Sequence, residues 1–428
     1  MLDPAHQARI ERRAQAKYAT RRRRAQVALA AFAAAAVLVV VVLAGAGGST
    51  RPRPAKPAAP ATPVRSPQSV IPGGPLAPAS VGGLATLWAP GNVVGDSPHT
   101  RPAYAAAARL AGLPGFLLIA DRGNNRILVV GRHGEIVFRF PSAADLAAGR
   151  RLFFNDDTFV VPGGAALIAN EEENHAIVSV GIADHSLHLL FGHPGHVGGD
   201  STHLNFPDDA YVLPDGSFTV ADAYNCRILF IRNHAIVREY GHSGDCHHNP
   251  PSAFGPVNGD TPLPDGGVLV SEIPGSWIDE IGPDGQLRFA FQAPIGYPSD
   301  PQPLPGGRIL LADYSSPGHV IITDRRGNVL WRYGPTEGYG RLDHPSLAMA
   351  LPNGDIAVND DYRDRVVVID PRLGRIVWQY GHTDRPGTAP GYLNTPDGMD
   401  FIPALPNPFA FLAAPPDGVP DWTAVVHP

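Results

Sequence analysis

The chain has 428 residues, with 34 Lys and Arg against 40 Asp and Glu, a net charge of −6, two cysteines and three methionines. Glycine (47) and proline (46) together make up about a fifth of it, while only 17% of residues are charged, which suits a turn-dense all-β fold. Charge is uneven: roughly +6 over residues 1–24 and +4 over 25–80 leave about −16 for residues 81–428, and an acidic body of that kind repels phosphate backbones and argues against nucleic acid as a partner.

Residues 1–24 form a basic tail that ends in Arg21-Arg22-Arg23-Arg24. Residues 25–47 are an uncharged apolar run, AQVALAAFAAAAVLVVVVLAGAG. A helix of about 20 such residues crosses a bilayer core. The arginines keep their side cytoplasmic, so this run predicts a single-pass signal anchor in the cell membrane with the rest of the chain extracytoplasmic. A cleaved signal peptide is the alternative, with Ala44-Gly45-Ala46 as the small-residue site. Both readings export residues 48–428. Residues 48–80 are rich in Pro, Ala and Ser and predict a solvated spacer that holds a folded domain off the membrane.

Residues 81–428 repeat with a period of about 50 residues. The clearest unit is residues 203–241, where short runs of Val, Ile, Phe and Tyr alternate with Pro214-Asp215-Gly216, Asp222 to Asn225 and Arg232-Asn233-His234. That pattern predicts four antiparallel strands. One marker is LLIADRGNNRI from Leu117, FTVADAYNCRI from Phe218 and DIAVNDDYRDRV from Asp355, with weaker copies from Leu167, Val268 and Ile309. A second is the turn VPGG at Val161, LPDG at Leu213 and Leu263, LPGG at Leu304 and LPNG at Leu351. A third ends the fourth strand: LFGHPG, EYGHSG, WRYGPT and WQYGHT. Residues 84–90 (LATLWAP) read as an isolated fourth strand, and a degraded copy from Phe411 lacks one. Joining them closes a propeller ring of seven blades without an open edge; six is the count if residues 409–428 are only a tail.

The segment GHPGHVGGDSTHLNFPDDAYVLPDGSFTVADAYNCRILFI resembles an NHL repeat, and GNVLWRYG and GRIVWQYGH resemble the blade ends of quinoprotein-like and arylsulfotransferase-like propellers. The resemblance spans nearly all of residues 81–428. It implies the fold far more than a function, since these propellers include enzymes, sensors and scaffolds.

In a four-stranded blade with strands a to d, the b–c turns and the d–a connections share one face. Several d–a loops here are long, so that face is the expected working face. Nine histidines fall in those loops: His99, His193, His196, His203, His242, His247, His248, His344 and His382. Grouped histidines offer metal ligands or acid–base groups, and leave a metal ion open as a cofactor, although no HxxxH or paired CxxC spacing supports one. A polar column opens strand a: Asp156, Asp208, Asn258, Ser299, Ser346 and Asp397. Such side chains at a channel mouth suit a cation or a sugar-like ligand, and equally suit backbone capping where the chain turns inward. A third column after strand b, Asp121, Asp222, Asp313 and Asp360 with Asn170 and Glu272 in weaker copies, is followed by Arg126, Arg227 and Arg365 and reads as structural. Cys226 and Cys246 lie on one face of one blade and suit a disulfide in an exported domain.

No GxSxG, Walker, HExxH or SxxK pattern occurs in residues 81–428. The leading expectation is therefore a membrane-anchored binding or sensor module for a protein, cell-wall polymer or small molecule on the loop face. The alternative is an enzyme at the channel mouth, either a His-dependent transferase, as the arylsulfotransferase resemblance implies, or a metal-dependent lyase like the NHL-type peptide-amidating lyase. Quinone binding is a weaker third reading, resting on Trp331 and Trp378 alone.

Overall fold

The computed structural model describes residues 113–162 and 164–403. The basic tail, the apolar run, the spacer, the strand at 84–90, His99 and the copy from Phe411 lie outside the described residues. Among the described residues no helix is long and apolar enough to cross a membrane.

The chain folds into six antiparallel sheets arranged as blades. Blade 1 contains β1 (Gly115–Asp121), β2 (Arg126–Gly131) and β3 (Ile136–Phe140), and is followed by the short helix α1 (Ala143–Ala147). Blade 2 contains β4 (Asn155–Val160), β5 (Ala166–Glu171), β6 (Ala176–Gly181) and β7 (Leu187–Gly192). Blade 3 contains β8 (Phe218–Asp222), β9 (Arg227–Arg232) and β10 (Ala235–Gly241). Blade 4 contains β11 (Val257–Pro262), β12 (Val268–Glu272), β13 (Trp277–Ile281) and β14 (Leu287–Gln292). Blade 5 contains β15 (Pro298–Leu304), β16 (Arg308–Asp313), β17 (His319–Asp324) and β18 (Val329–Tyr333). Blade 6 contains β19 (Ala348–Ala350), β20 (Ile356–Asp360), β21 (Arg365–Asp370) and β22 (Arg375–Gly381). The last described strand, β23 (Pro396–Pro403), returns to blade 1.

The count is six blades, not seven, because of where β23 goes. Among the described residues blade 1 begins with a b strand. β23 pairs antiparallel with β1, from Gly115 opposite Pro403 to Asp121 opposite Pro396. β23 thus completes the first blade and opens no new one. N-terminal strands and the last described strand share one blade, so the ring closes by joining the two ends of the described chain, as expected.

Burial explains the sequence pattern. Strands in the middle of each blade are covered on both faces by neighbouring blades, so all six residues of β2, β6 and β21 are buried and their sequences are nearly continuous apolar runs. Outer strands such as β14 and β18 keep exposed positions. Trp331 donates its indole N–H to Pro371 O at 3.2 Å, and Trp378 donates to Arg132 O at 2.8 Å, so each tryptophan tethers its blade to the next.

One irregularity recurs in the innermost strand. Asn155 pairs with Glu171 and Thr158 with Ala169, so three steps on β4 match two on β5. The same extra residue occurs between Val257 and Asp260, between Ser299 and Gln302, and between Pro396 and Met399. In blade 3 the inner segment reduces to bridges at Pro207 and Val212, and Asp208 N–H and Asp209 O both bond to Ala221. Here the template unit of the sequence is less regular than its own copies. A bulge breaks the in–out alternation of a strand and re-aims side chains beside it.

Candidate functional site: an acidic channel mouth

Acidic residues recur at these irregularities: Asp156-Asp157, Asp208-Asp209, Asp300 and Asp397 lie within them and Asp260 directly follows one, all buried. The first residue of each pair meets the b–c turns. Arg122, in the 3-10 turn after β1 and itself buried, lies 3.0 Å from Asp156, 3.2 Å from Asp397 and 2.5 Å from Glu172, and it also pairs with Glu173. Asp156, Glu172 and Asp208 present one carboxylate oxygen each within 4.8 Å of one another. Burial pushes the Asp156 carboxyl well above the usual carboxylate range; Arg122 opposes that shift, and the charges of Asp397 and Glu172 add to it.

The second residue of each pair forms a deeper layer. Asp157, Asp209 and Asp300 again place one oxygen each within 4.8 Å of the others. Ser299 donates to Asp300 Oδ2 at 3.2 Å, while Asp157 Oδ1 and Asp300 Oδ1 accept no hydrogen bond. Burial raises Asp157 and Asp300 well above the usual range, and each neighbouring carboxylate raises them further. Asp260 is raised by the same two causes, with Asp209 beside it. Fully buried Tyr211, stacked on Phe159 at 4.2 Å between centroids, walls this layer and is itself raised by burial and by Asp209, Asp300 and Asp157.

The polar column at strand a therefore divides. Asp156, Asp208 and Asp397 join the mouth. Asn258 does not join it: it donates to Ser299 Oγ at 2.7 Å and accepts from the Tyr297 hydroxyl at 2.7 Å. Ser346 bonds to Asp361 and to the Asp397 carbonyl.

The histidines do not converge. His193 and His203 stack at 4.1 Å on one loop, and His203 Nδ1 lies 2.8 Å from the exposed Asp200. His196 is exposed. His242 and His247 are exposed beside Glu239 and Asp245 respectively. His248 packs on Trp277 in blade 4. His344 contacts Asp343, Tyr314 and Tyr362 between blades 5 and 6. Among the described residues no group of three potential metal ligands contains two histidines. His203, His242, His247 and His344 each sit beside an acid within three residues of their own, and His248 packs on blade 4, so these described histidines share no common centre.

The third column does not cap the b–c turns with its side chains; it ties the end of strand b to the d–a loop and to the arginine that opens strand c. Asp222 accepts from Asn205 N–H, Asn225 and Arg227 Nε, the last at 2.7 Å, and Asp121 and Asp360 repeat the arrangement with Arg126 and Arg365. Glu171, rather than Asn170, takes this place in blade 2, accepting from Phe153 N–H and from Asn174. Asn170 instead donates to the Pro207 carbonyl. Cys226 and Cys246 are joined by a disulfide, with Cα atoms 5.3 Å apart.

Sequence reasoning missed Arg122, Glu172 and Glu173, and the deeper Asp157, Asp209, Asp260 and Asp300. The doubled Asp-Asp at 156–157 and 208–209, at equal distance before a turn, was the available signal.

No family profile and no curated protein matches this chain. Solved structures do resemble it. A protein of unknown function from Bacteroides caccae is 18% identical, with a TM-score of 0.47 over 68% of this chain and 98% of that one. Virginiamycin B lyase from Staphylococcus aureus is 14% identical, with a TM-score of 0.40 over 60% of this chain and 74% of that one. A structure of the nidogen–laminin complex is 12% identical, with a TM-score of 0.46 over 66% of this chain and 97% of that one. At such identities the likeness concerns the propeller fold alone.

Proposed function

We propose that this chain is a membrane-anchored, extracytoplasmic propeller that binds a divalent cation in its central channel and presents the mouth above that cation to a small-molecule, protein or cell-wall ligand. The observation that carries this reading is the Asp157–Asp209–Asp300 layer, three buried carboxylates from three blades within 4.8 Å of one another. Three like charges that close are mutually destabilising unless protons or a cation lie among them. An all-oxygen set of this kind suits Ca²⁺ or Mg²⁺. The acidic mouth supports the reading by concentrating cations from solution. The basic tail, apolar run and spacer of residues 1–80 support an extracytoplasmic location.

The same layer favours a second reading, a cation-dependent enzyme in which the metal polarises a bound substrate. A His-dependent transferase loses its support with the dispersal of His193, His196, His203, His242, His247, His248 and His344. The test is calorimetric titration of Ca²⁺ and Mg²⁺ into the full-length chain in detergent, with Asp209→Asn and Asp300→Asn beside it. One equivalent bound by the wild type and lost in both variants supports the channel site. No binding, or binding that survives both substitutions, refutes it.

A further inference from the structure

Blade 4 departs from blades 1, 3 and 6 at the carboxylate that closes strand b. In blades 1, 3 and 6 the arginine that opens strand c meets the carboxylate that closes strand b, at 2.5, 2.7 and 2.7 Å. Blade 4 has Glu272 at the carboxylate position but Trp277 where the arginine would stand. The vacated place is filled from outside the repeat. His248, on the loop after β10, lays its ring over Trp277 with centroids 3.9 Å apart and planes 6° from parallel. Its Nδ1 then lies 2.7 Å from Glu272 Oε1.

A second acid faces the same point. Asp279 Oδ2, on β13, is 4.0 Å from His248 Nδ1, and the Glu272 and Asp279 side chains are both fully buried. Glu272 Oε2 accepts the Gly255 N–H, but neither Asp279 oxygen accepts a hydrogen bond. Among the described residues no lysine or arginine pairs with either acid. Two buried carboxylates thus share one imidazole where blades 1, 3 and 6 match a single carboxylate with a permanent cation and blade 5 matches its single Asp313 with His319. Burial, reinforced by the neighbouring Glu272, raises Asp279 to about 10.

We propose that His248, Glu272 and Asp279 form a transition-metal site of the zinc class, separate from the channel. The three donor atoms already lie within 4.8 Å of one another. Zinc bonds of about 2.0–2.2 Å in a tetrahedron place donors about 3.3–3.5 Å apart, so side-chain rotation completes the set. One imidazole nitrogen with two carboxylates selects zinc-like ions over Ca²⁺ or Mg²⁺. A divalent ion also neutralises both acids, which one imidazolium cannot do. His248 remains 24% exposed, leaving a fourth position open to water. The Cys226–Cys246 disulfide ties the loop down two residues before His248 and holds the ligand in place.

The test uses the full-length chain in detergent, stripped with chelator, reloaded with Zn²⁺, desalted and analysed for metal by atomic emission. His248→Gln and Asp279→Asn should each retain one zinc fewer than the wild type, and Asp157→Asn at the channel should retain this zinc. Zinc should raise the wild-type melting temperature through this site, and His248→Gln should lose that increment. Trp277→Arg restores the sibling arrangement and should also lose one zinc, a check that does not depend on removing a ligand. A wild type that retains no zinc, or one whose zinc count is unchanged in both His248→Gln and Asp279→Asn, overturns the proposal.

Discussion

Arg122 Nη1 lies 3.2 Å from Asp397 Oδ2, so a guanidinium from the first blade meets a carboxylate 275 residues further along the chain. The contact joins β23 to the blade it completes, and Arg122 is also paired with Asp156, Glu172 and Glu173. Removing a buried cation leaves its partners uncompensated, at a cost of about 3–5 kcal/mol. Arg122→Met should therefore destabilise by that order in denaturant unfolding. Asp397→Asn in the same background should recover part of the loss, giving a coupling energy of about 1 kcal/mol or more in a double-mutant cycle. Additive effects would mean that Arg122 and Asp397 do not act on each other.

Closure can be tested where β23 runs closest to its neighbour. A Cβ on Gly398 would stand 2.4 Å from the Asp157 Cα and 3.0 Å from the Asp156 carbonyl oxygen. Both are backbone atoms, so no flexible side chain can move aside. Gly398→Val should cost more than about 3 kcal/mol, in the range of severe overpacking. Gly398→Ala should fall between it and the wild type. Gly149 has open space where a Cβ would stand, although its φ of +81° disfavours a side chain. Gly149→Ala should therefore cost only about 1 kcal/mol, from backbone strain. Equal melting temperatures for Gly398→Val and wild type would mean that β23 is not packed against β4 as described.

The blades were legible because each strand carries its own local signal: LPDG and LPNG turns, the Asp222–Arg227 type of pair, and apolar runs wherever both faces of a strand are covered. The blade count was not, because it depends on a pairing between β1 and β23, and nothing local in Pro396–Pro403 distinguishes completing an old blade from opening a new one. The site was half legible. Asp156, Asp208 and Asp397 stood out by register, but alternation assigns their neighbours Asp157 and Asp209 to the opposite face, and only the bulge reverses that. Histidine was misleading for a physical reason: loop histidines such as His203 and His247 find an acid within a few residues and have no need of one another.

The disulfide offers a separate measure of how the long loop after blade 3 is held. Cys226 and Cys246 are separated by 20 positions in sequence, and a crosslink of that span stabilises by about 3 kcal/mol through the unfolded chain. Cys226→Ser/Cys246→Ser should lower the denaturant midpoint by a corresponding amount. The loss should be matched when wild type is unfolded under reducing conditions. Mass spectrometry of the wild type should find no free thiol. Two alkylatable cysteines would refute the bond.

Asp145 gives a pH dependence away from the channel. It caps α1, accepting Ser142 N–H at 2.7 Å, and it also meets Arg150 Nη2 at 2.6 Å and His185 Nδ1 at 2.6 Å. Burial alone would raise its carboxyl, but bonds from Ser142, His185 and Arg150 outweigh burial and hold it well below the usual range. A carboxylate with a folded value below its unfolded value of 3.8 adds stability that is fully present above the unfolded value and is lost as pH falls through the folded one. Asp145→Asn should therefore cost about 2 kcal/mol at pH 7, the scale of charge-assisted hydrogen bonds. The gap should stay constant down to about pH 5 and shrink steadily below about pH 4. Denaturant midpoints for both proteins at pH 7, 5 and 3.5 measure it. A gap that widens between pH 5 and 3.5 would reverse the sign and rule out an ionised Asp145 as the stabilising species.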